Sequence, residues 1–214
     1  MSDTQQKPRQ LREIATNVQT EPTWEIAHLY PLQGMWSEWE YMELRPSRVV
    51  EYDHGHLEVH DVPSQSHQFI VAYLFQALLA FVAARKLGTV LFAPLRLKLW
   101  EEKYREPDIV FMSAEHAARR GEDFWLGADL VMEVVSEDDQ SRERALQKKR
   151  SEHAQAGILE YWIINPPERR IVVLRLEEGQ YKVHSEFAPG TSAASALLNG
   201  FAVEVAAIFA AAEL

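Results

Sequence analysis

One acidic side chain lies inside an apolar segment that has the length of a β-strand. Glu133 is flanked by aliphatic residues and a methionine over residues 130–135. An isolated ionised carboxylate is costly in a dry interior, so such a group is protonated, paired with a cation or bound to a metal. Glu133 is therefore either a metal ligand or the acidic member of a structural salt bridge.

A second acid begins another apolar segment. Asp108 follows Pro107 and precedes four apolar residues, which predicts that it lies at the start of a strand. An aspartate after a proline is also common in turns, and this structural role is the alternative for Asp108 alone. Two strand carboxylates that converge could bind a divalent cation through oxygen. Without that cation they would repel each other, and the pKa of at least one of them would rise.

The helix predicted after the strand of the buried glutamate, over residues 141–156, supplies cationic side chains. Residues three and four positions apart share a helix face, so Lys149 and His153 lie on one side, with Lys148 and Arg150 pointing to either side of it. Together with two carboxylates, a lysine here could position water or stabilise transition-state charge in metal-assisted phosphodiester hydrolysis. A solvated basic helix surface is the alternative.

Four histidines lie close together in the sequence, at positions 54, 56, 60 and 67. His56 and His60 have a spacing that suits a metal site on a helix, but polar and apolar residues alternate between them. This alternation predicts a strand, on which the two imidazoles lie far apart. The pattern favours solvent-facing histidines of a hairpin over a zinc site.

Composition excludes some classes of protein. The 214 residues include no cysteine, so disulfides and thiolate metal sites are excluded. The net charge of −10 disfavours non-specific nucleic-acid binding, although bound divalent cations can cancel local carboxylate charge. The N-terminus is polar, and no apolar segment is expected to span a membrane, because Gln76 interrupts residues 69–84. A cytoplasmic protein without a membrane partner is predicted.

The predicted elements alternate between helices and strands. Ser37 and Glu40 form a capping box at the start of a short helix, and His54-Gly55 predicts the turn of a hairpin. A long helix over residues 66–86 is apolar nearly all round and is expected to be buried, whereas residues 101–106 are predicted to form a charged loop. Further strands are predicted over residues 89–93, 95–100, 108–112, 130–136, 160–165, 170–176 and 181–187, and a last helix over residues 203–212.

This order of elements predicts an α/β fold in which a central mixed sheet is flanked by helices. Residues 1–22 are polar and lack a periodic pattern, which predicts a flexible N-terminal arm. Residues 23–214 are expected to form the folded domain.

Five segments carry motifs that occur together in a known family. They are Glu51-Tyr52-Asp53-His54-Gly55, Ser66-His67-Gln68, Glu106-Pro107-Asp108-Ile109-Val110, residues 129–136, and residues 149–166 with Glu160-Tyr161-Trp162-Ile163. Through these segments, the chain resembles the Uma-two (Uma2) family of bacterial endonucleases in the PD-(D/E)XK nuclease superfamily. The resemblance covers residues 36–209.

The resemblance implies a restriction-endonuclease-like fold and a DNA endonuclease that depends on Mg²⁺ or Mn²⁺. Asp108 takes the place of the first motif acid, and Glu133 takes that of the acid in the Glu-x-Lys strand. Val135 stands where the simplest motif has lysine, and Lys149 matches the lysine that the family supplies from the next helix. These three matching residues are the implied catalytic residues. Glu51 matches an upstream glutamate that would join the two acids as a metal ligand.

The same resemblance implies which residues contact DNA and which alternative functions are open. The expected DNA contacts are cationic side chains of the helix, Arg144, Lys148 and Arg150, and cleavage of both strands would favour a homodimer. The chain departs from the family pattern at His54, Ala145, His153 and Asn165, and outer groups of this kind orient metal ligands. These departures and the acidity favour the alternative of a catalytically silent nuclease-fold protein that binds DNA or protein. An unrelated acidic scaffold protein is a third hypothesis.

Overall fold

A computed structural model describes residues 29–44, 46, 48–135 and 139–213, without the side chains of residues 139–146. The predicted arm, residues 1–22, lies outside the described residues. The strands are β1 (Val50–Asp53), β2 (His56–Val59), β3 (Gly88–Phe92), β4 (Leu97–Trp100), β5 (Lys103–Arg105), β6 (Ile109–Ser113), β7 (Trp125–Leu126), β8 (Leu130–Val134), β9 (Glu160–Asn165), β10 (Arg170–Glu177), β11 (Gln180–Phe187), β12 (Ser192–Ala194) and β13 (Ala202–Glu204). The α-helices are α1 (Glu38–Glu43), α2 (Gln65–Arg85), α3 (Asp139–Gln155) and α4 (Val205–Ala210), and short 3₁₀-helices cover Ala114–Arg119 and Ala211–Glu213.

Six strands form the central sheet, in the order β11-β10-β9-β8-β6-β3. β8 and β9 are parallel, and the other neighbouring strands are antiparallel. All five residues of β8 are buried in the interior of this sheet. Ile109 on β6 pairs with Met132 on β8, so continuing the register places Asp108 opposite Glu133. The mixed sheet therefore brings the two predicted acids onto adjacent strands.

Helix α2 packs against the central sheet through one of its sides. Its N-terminus is capped by the Ser64 hydroxyl, which accepts a hydrogen bond from the His67 backbone N–H at 3.2 Å. The side chains that reach the core are Ile70, Val71, Leu74, Leu78 and Val82. The opposite side is exposed and includes Leu79, so the prediction of a helix buried all round is wrong.

The length and apolar character of α2 also differ from expectation. By length and composition alone, its 21 residues, with a mean hydropathy of 1.7 over an 18-residue window, could cross a membrane, although the sequence predicted that Gln76 interrupts the apolar segment. Gln76 lies on the exposed side, so it does not interrupt the buried side. Length and hydropathy do not separate a spanning helix from a core helix, and five side chains of α2 pack in the core.

Five strands form a second sheet, in the order β2-β1-β5-β4-β7. In the β1–β2 hairpin Glu51 pairs with Glu58, and Tyr52 pairs with Tyr104 of β5 on the other side. All three residues of β5 are buried. The predicted charged loop over residues 101–106 is therefore wrong for its central part, because the charges of β5 are paired inside the protein.

Local capping and turn signals are confirmed. The Ser37 hydroxyl accepts a hydrogen bond from the Glu40 N–H, and the Glu40 carboxylate accepts one from the Ser37 N–H. His54 and Gly55 both have positive φ angles, 45° and 82°, as a two-residue hairpin turn requires. The C-terminal helix begins at Val205, two residues later than predicted, because the preceding residues form β13.

Candidate active site

Lys149 lies between two buried glutamates. Its Nζ is 3.1 Å from Glu133 Oε2 and 3.4 Å from Glu51 Oε1. Glu133 comes from β8, Glu51 from β1 of the second sheet and Lys149 from α3, so three separate elements meet here. The side chain of Lys149 is 16% exposed, whereas that of Lys148 is 51% exposed, so the helix face that carries Lys149 points inward.

The Lys149 ammonium keeps both glutamates ionised. Burial alone would raise the pKa of Glu133, but the charge of Lys149 and the contact with His153 lower that pKa to about 2. The same ammonium offsets burial at Glu51 and holds its pKa well below the ordinary value. Burial would lower the pKa of Lys149, but the two glutamates raise it. A raised pKa is expected for at least one of the two acids Asp108 and Glu133, and Glu133 is not that acid, because Lys149 supplies positive charge beside it.

Asp108 reaches the site from the residue before β6. Its Oδ2 accepts a hydrogen bond from the Val134 N–H at 2.7 Å, and His67 Nε2 lies 3.3 Å from the same oxygen. The contact with Val134 is of the backbone type that we expect for a structural aspartate. Because both groups meet Oδ2, the other oxygen, Oδ1, is the one that could face a cation. The side chain is 22% exposed, so it borders solvent.

A buried arginine that sequence analysis missed connects the second sheet to α3. Arg105 on β5 donates to Glu51 Oε2 at 2.7 Å and, from Nε and Nη2, to both oxygens of Glu152 at 2.7 and 3.0 Å. Lys103 Nζ lies 2.6 Å from Glu152 and 2.7 Å from Asp53. The alternation of Lys103 and Arg105, which places both on one face of a strand, was the signal that could have revealed this cluster.

Three histidines each contact one carboxylate of the site. His153 Nε2 is 3.2 Å from Glu133 Oε1, His67 Nε2 is 3.3 Å from Asp108 Oδ2, and His60 Nε2 is 3.1 Å from Glu51 Oε2. The prediction of solvent-facing histidines is confirmed for His54 and His56. It is wrong for His60, because its backbone N–H still donates to the Val49 carbonyl just before β1 and its ring meets Glu51. His67 belongs to the first turn of α2 and meets Asp108.

Glu106 is a further buried acid beside the site. Its backbone N–H donates to Glu51 Oε1 at 3.1 Å, and its carboxylate accepts from the Tyr41 hydroxyl at 3.4 Å. Arg96 Nε lies 3.8 Å away. Burial raises the pKa of Glu106 to about 7, with a smaller contribution from the negative charge of Glu51, although Arg96 opposes the rise. This carboxyl group therefore titrates near neutral pH.

Two of the three predicted DNA-contacting residues, Lys148 and Arg150, have partners within the protein. Lys148 Nζ lies 2.9 Å from Asp53 Oδ2. Arg150 Nη2 donates to the Tyr181 carbonyl at 2.8 Å. The Arg144 side chain lies outside the described residues. Lys148 and Arg150 therefore bind to different parts of the protein and do not form a shared basic patch.

The residues that depart from the family pattern occupy different places. His153 is fully buried and contacts the predicted ligand Glu133. His54 is 57% exposed and lies 2.9 Å from Asp53, and the Asn165 side chain accepts a hydrogen bond from the Glu168 N–H at 3.2 Å. The side chain of Ala145 lies outside the described residues. Of these departures, the histidine at position 153 is therefore the one that touches a predicted metal ligand among the described residues.

The oxygen atoms at this site suit a hard divalent cation. Carboxylate oxygens are the ligands that Mg²⁺ and Mn²⁺ prefer. Asp108 and Glu133 lie on adjacent strands, and their side chains are 22% and 9% exposed, so an ion could reach them from solvent. The donor set of these two acids therefore fits the metal that the fold implies.

A second group of possible ligands lies on the hairpin side of the site. One ligand atom each of Glu51, Glu58 and His60 lies within 4.8 Å of the others. Arg105 Nη1, however, lies 2.7 Å from Glu51 and 3.2 Å from Glu58. Because a guanidinium already bridges these two carboxylates, a metal ion fits less well here than at Asp108 and Glu133.

Comparisons with known proteins bear on the fold and the family of this chain. The family model Uma2, described as "Putative restriction endonuclease", matches residues 36–206. A crystal structure described as "a putative nuclease belonging to DUF820", from Anabaena variabilis ATCC 29413, has a TM-score of 0.67 and 19% sequence identity, and the match covers 85% of this chain and 99% of that one. No curated protein matches the chain. The structural match supports the restriction-endonuclease-like fold, and the family match shows that the chain belongs to the Uma2 family.

Proposed function

We propose that this protein is a metal-dependent endonuclease that hydrolyses phosphodiester bonds of DNA. The observation that carries the proposal is the convergence of Glu133, Lys149 and Asp108 from three elements of a nuclease-family fold. Family membership supports a nuclease acting on nucleic acid. The choice of DNA and the requirement for Mg²⁺ or Mn²⁺ are parts of the proposal.

Asp108 and Glu133 would hold the cation. When bound, the cation would supply positive charge to the phosphate and favour ionisation of water. Glu133 is ionised at neutral pH because Lys149 lowers its pKa, so it is ready to act as an anionic ligand. Both contacts of Asp108 described above fix Oδ2, which would leave Oδ1 for the ion.

Lys149 would act as a positive charge. The two glutamates raise the pKa of Lys149, so it stays an ammonium group at neutral pH and can donate hydrogen bonds but cannot accept a proton. It would orient the attacking water or stabilise charge on the phosphate in the transition state. Glu51, whose oxygens contact Lys149 and Arg105, would then hold Lys149 in place in addition to any role as a ligand.

A catalytically silent protein that binds DNA or another protein is the second candidate. The observation that favours it is that Lys148 and Arg150, two expected DNA contacts, are paired with Asp53 and the Tyr181 carbonyl. Phosphate binding depends on cationic groups that can neutralise phosphates. A silent protein would retain the fold and the buried charges without cleavage.

Plasmid cleavage separates these two candidates. The purified protein should nick supercoiled DNA when Mn²⁺ is added, and Asp108→Ala should abolish nicking. Asp61→Ala, at an exposed acid outside the site, is the matched control and should cleave like the wild type. A folded wild type that never cleaves with Mn²⁺ or Mg²⁺ would favour the silent protein, and cleavage by Asp108→Ala would contradict the assigned site.

We also propose that the protein works as a homodimer in the cytoplasm. Two copies would allow both DNA strands to be cut. Light scattering should give twice the 24.6 kDa mass of one chain, and a monomer that cleaves at full rate would contradict the dimer.

A further inference from the structure

We propose that His67 and His153 are positioning residues that orient the carboxylates of Asp108 and Glu133 for the cation. This inference rests on the proposed function, because it assigns these two acids as the metal ligands. Each histidine contacts one oxygen of one acid. His67 contacts Oδ2 of Asp108, and His153 contacts Oε1 of Glu133, whose other oxygen faces Lys149.

His153 acts on Glu133 from α3. Its side chain is fully buried, and its Nε2 lies within hydrogen-bond distance of Glu133 Oε1, at 3.2 Å. Lys149, one turn earlier on the helix, contacts the other oxygen, Oε2. The imidazole also packs edge-to-face against Tyr161, with ring centroids 5.0 Å apart. The rotation of the Glu133 carboxylate is thus restricted from both sides.

His67 acts on Asp108 from the first turn of α2. Its Nε2 lies 3.3 Å from Asp108 Oδ2, the oxygen that also accepts the Val134 N–H. The side chain is 15% exposed. Its backbone N–H is held by the Ser64 cap, so the start of the helix fixes where the imidazole can reach.

The second ring nitrogen supports this role for both histidines. Nδ1 of His67 and Nδ1 of His153 are buried and have no hydrogen-bond partner among the described residues. A neutral imidazole has one N–H to donate, and burying an N–H without a partner is costly. Nε2, beside the carboxylate, is therefore the favourable place for that hydrogen.

Groups that orient metal-binding carboxylates affect metal affinity without touching the metal. Their removal typically costs about tenfold to a hundredfold in metal affinity or activity. We expect His67→Phe and His153→Phe, which keep a planar ring but remove the donor, to weaken Mn²⁺ binding by about this factor. His67→Gln and His153→Gln, which keep a donor, should restore most of the affinity.

The chain offers a matched control in another histidine–carboxylate pair. His116 Nδ1 lies 2.6 Å from Asp129 Oδ1, and the second oxygen of Asp129 accepts the Ser113 N–H. Asp129 precedes Glu133 by four residues along the β8 strand, which is about 13 Å. His116→Phe removes a contact of the same chemical kind and should leave Mn²⁺ affinity unchanged.

The experiment is isothermal titration of the full chain with Mn²⁺ alone, with unfolding of each variant followed in chelator. Weakened binding in the two Phe variants, recovery in the Gln variants and no change in His116→Phe would support the inference. If the wild type binds Mn²⁺ and the Phe variants bind equally tightly, the positioning role is wrong while the proposed function stands. If the wild type binds no Mn²⁺, both are wrong. Should a Phe variant fail to fold, the Gln variants decide, and loss of binding in a folded Gln variant would overturn the inference.

Discussion

Replacing Arg105 by methionine tests how the second sheet supports the site. The guanidinium is 1% exposed and contacts Glu51, which is fully buried, and both oxygens of Glu152, which is 10% exposed. Methionine keeps much of the side-chain volume but removes the charge and every hydrogen bond. Two buried carboxylates would then lose their main partner.

The expected loss of stability is large. Removing one partner of a buried ion pair typically costs about 3–5 kcal/mol, because the remaining charge is left uncompensated. Lys149 and Lys103 still contact Glu51 and Glu152, so the lower part of this range, about 3 kcal/mol, is expected for Arg105→Met. The stability of Arg105→Lys should lie between that of the wild type and that of Arg105→Met, since an ammonium group cannot make the bidentate contact with Glu152.

Urea denaturation in chelator at neutral pH measures this loss. The control is Arg170→Met, whose guanidinium is 48% exposed and pairs with Glu186, and it should cost less than about 1 kcal/mol. Equal losses in Arg105→Met and Arg170→Met would refute the reasoning, because buried and exposed ion pairs would then contribute alike.

Three further predictions follow from the site. Lys149→Met should reduce DNA cleavage far more than Mn²⁺ binding, while Lys148→Met should have a mild effect. If Lys148→Met instead caused the larger loss in a nicking assay, Lys149 would be the wrong lysine. Millimolar Mn²⁺ should raise the melting temperature, since a ligand at a hundred times its Kd adds about 2.7 kcal/mol, and Glu133→Gln should lose most of that rise. The folded pKa of Glu106, about 7, lies above its ordinary value of 4.5, so ionisation destabilises the wild type as pH rises through this window. Relative to the wild type, Glu106→Gln should therefore gain stability between about pH 5 and pH 8, by up to about 3 kcal/mol in urea denaturation, and a constant difference would contradict this.

Sequence patterns predicted the parts of the site that depend on local spacing. The apolar segment around Glu133 predicted a buried strand, and helical periodicity placed Lys149 and His153 on one face of α3, which the structure shows to be the inward face. The capping box at Ser37 and the turn at His54 were also readable, because both depend on neighbours within three residues.

Contacts between distant segments could not be predicted in the same way. Arg105 meets Glu51 and Glu152 only after β5 is paired into the second sheet and α3 packs against it. A run of charged residues normally indicates solvent exposure. The alternation of Lys103 and Arg105 could indicate a shared strand face, but it does not show which distant carboxylates bury that face. The contact of His67 with Asp108 likewise depends on where α2 begins relative to β6, which no local pattern shows.

The balance of charge at the site gives a further argument for a cation. Apart from Glu106, which faces its own cation Arg96, five carboxylates among the described residues are less than a third exposed and meet in this cluster, namely Glu51, Asp53, Asp108, Glu133 and Glu152. Three similarly buried cations face them, namely Lys103, Arg105 and Lys149. With neutral histidines the cluster has two more negative than positive charges, which one divalent cation would neutralise. Uncompensated buried charge is unfavourable, so the cluster should favour a divalent ion over a monovalent one. Sodium at equal ionic strength should therefore fail to reproduce the thermal stabilisation expected with Mn²⁺.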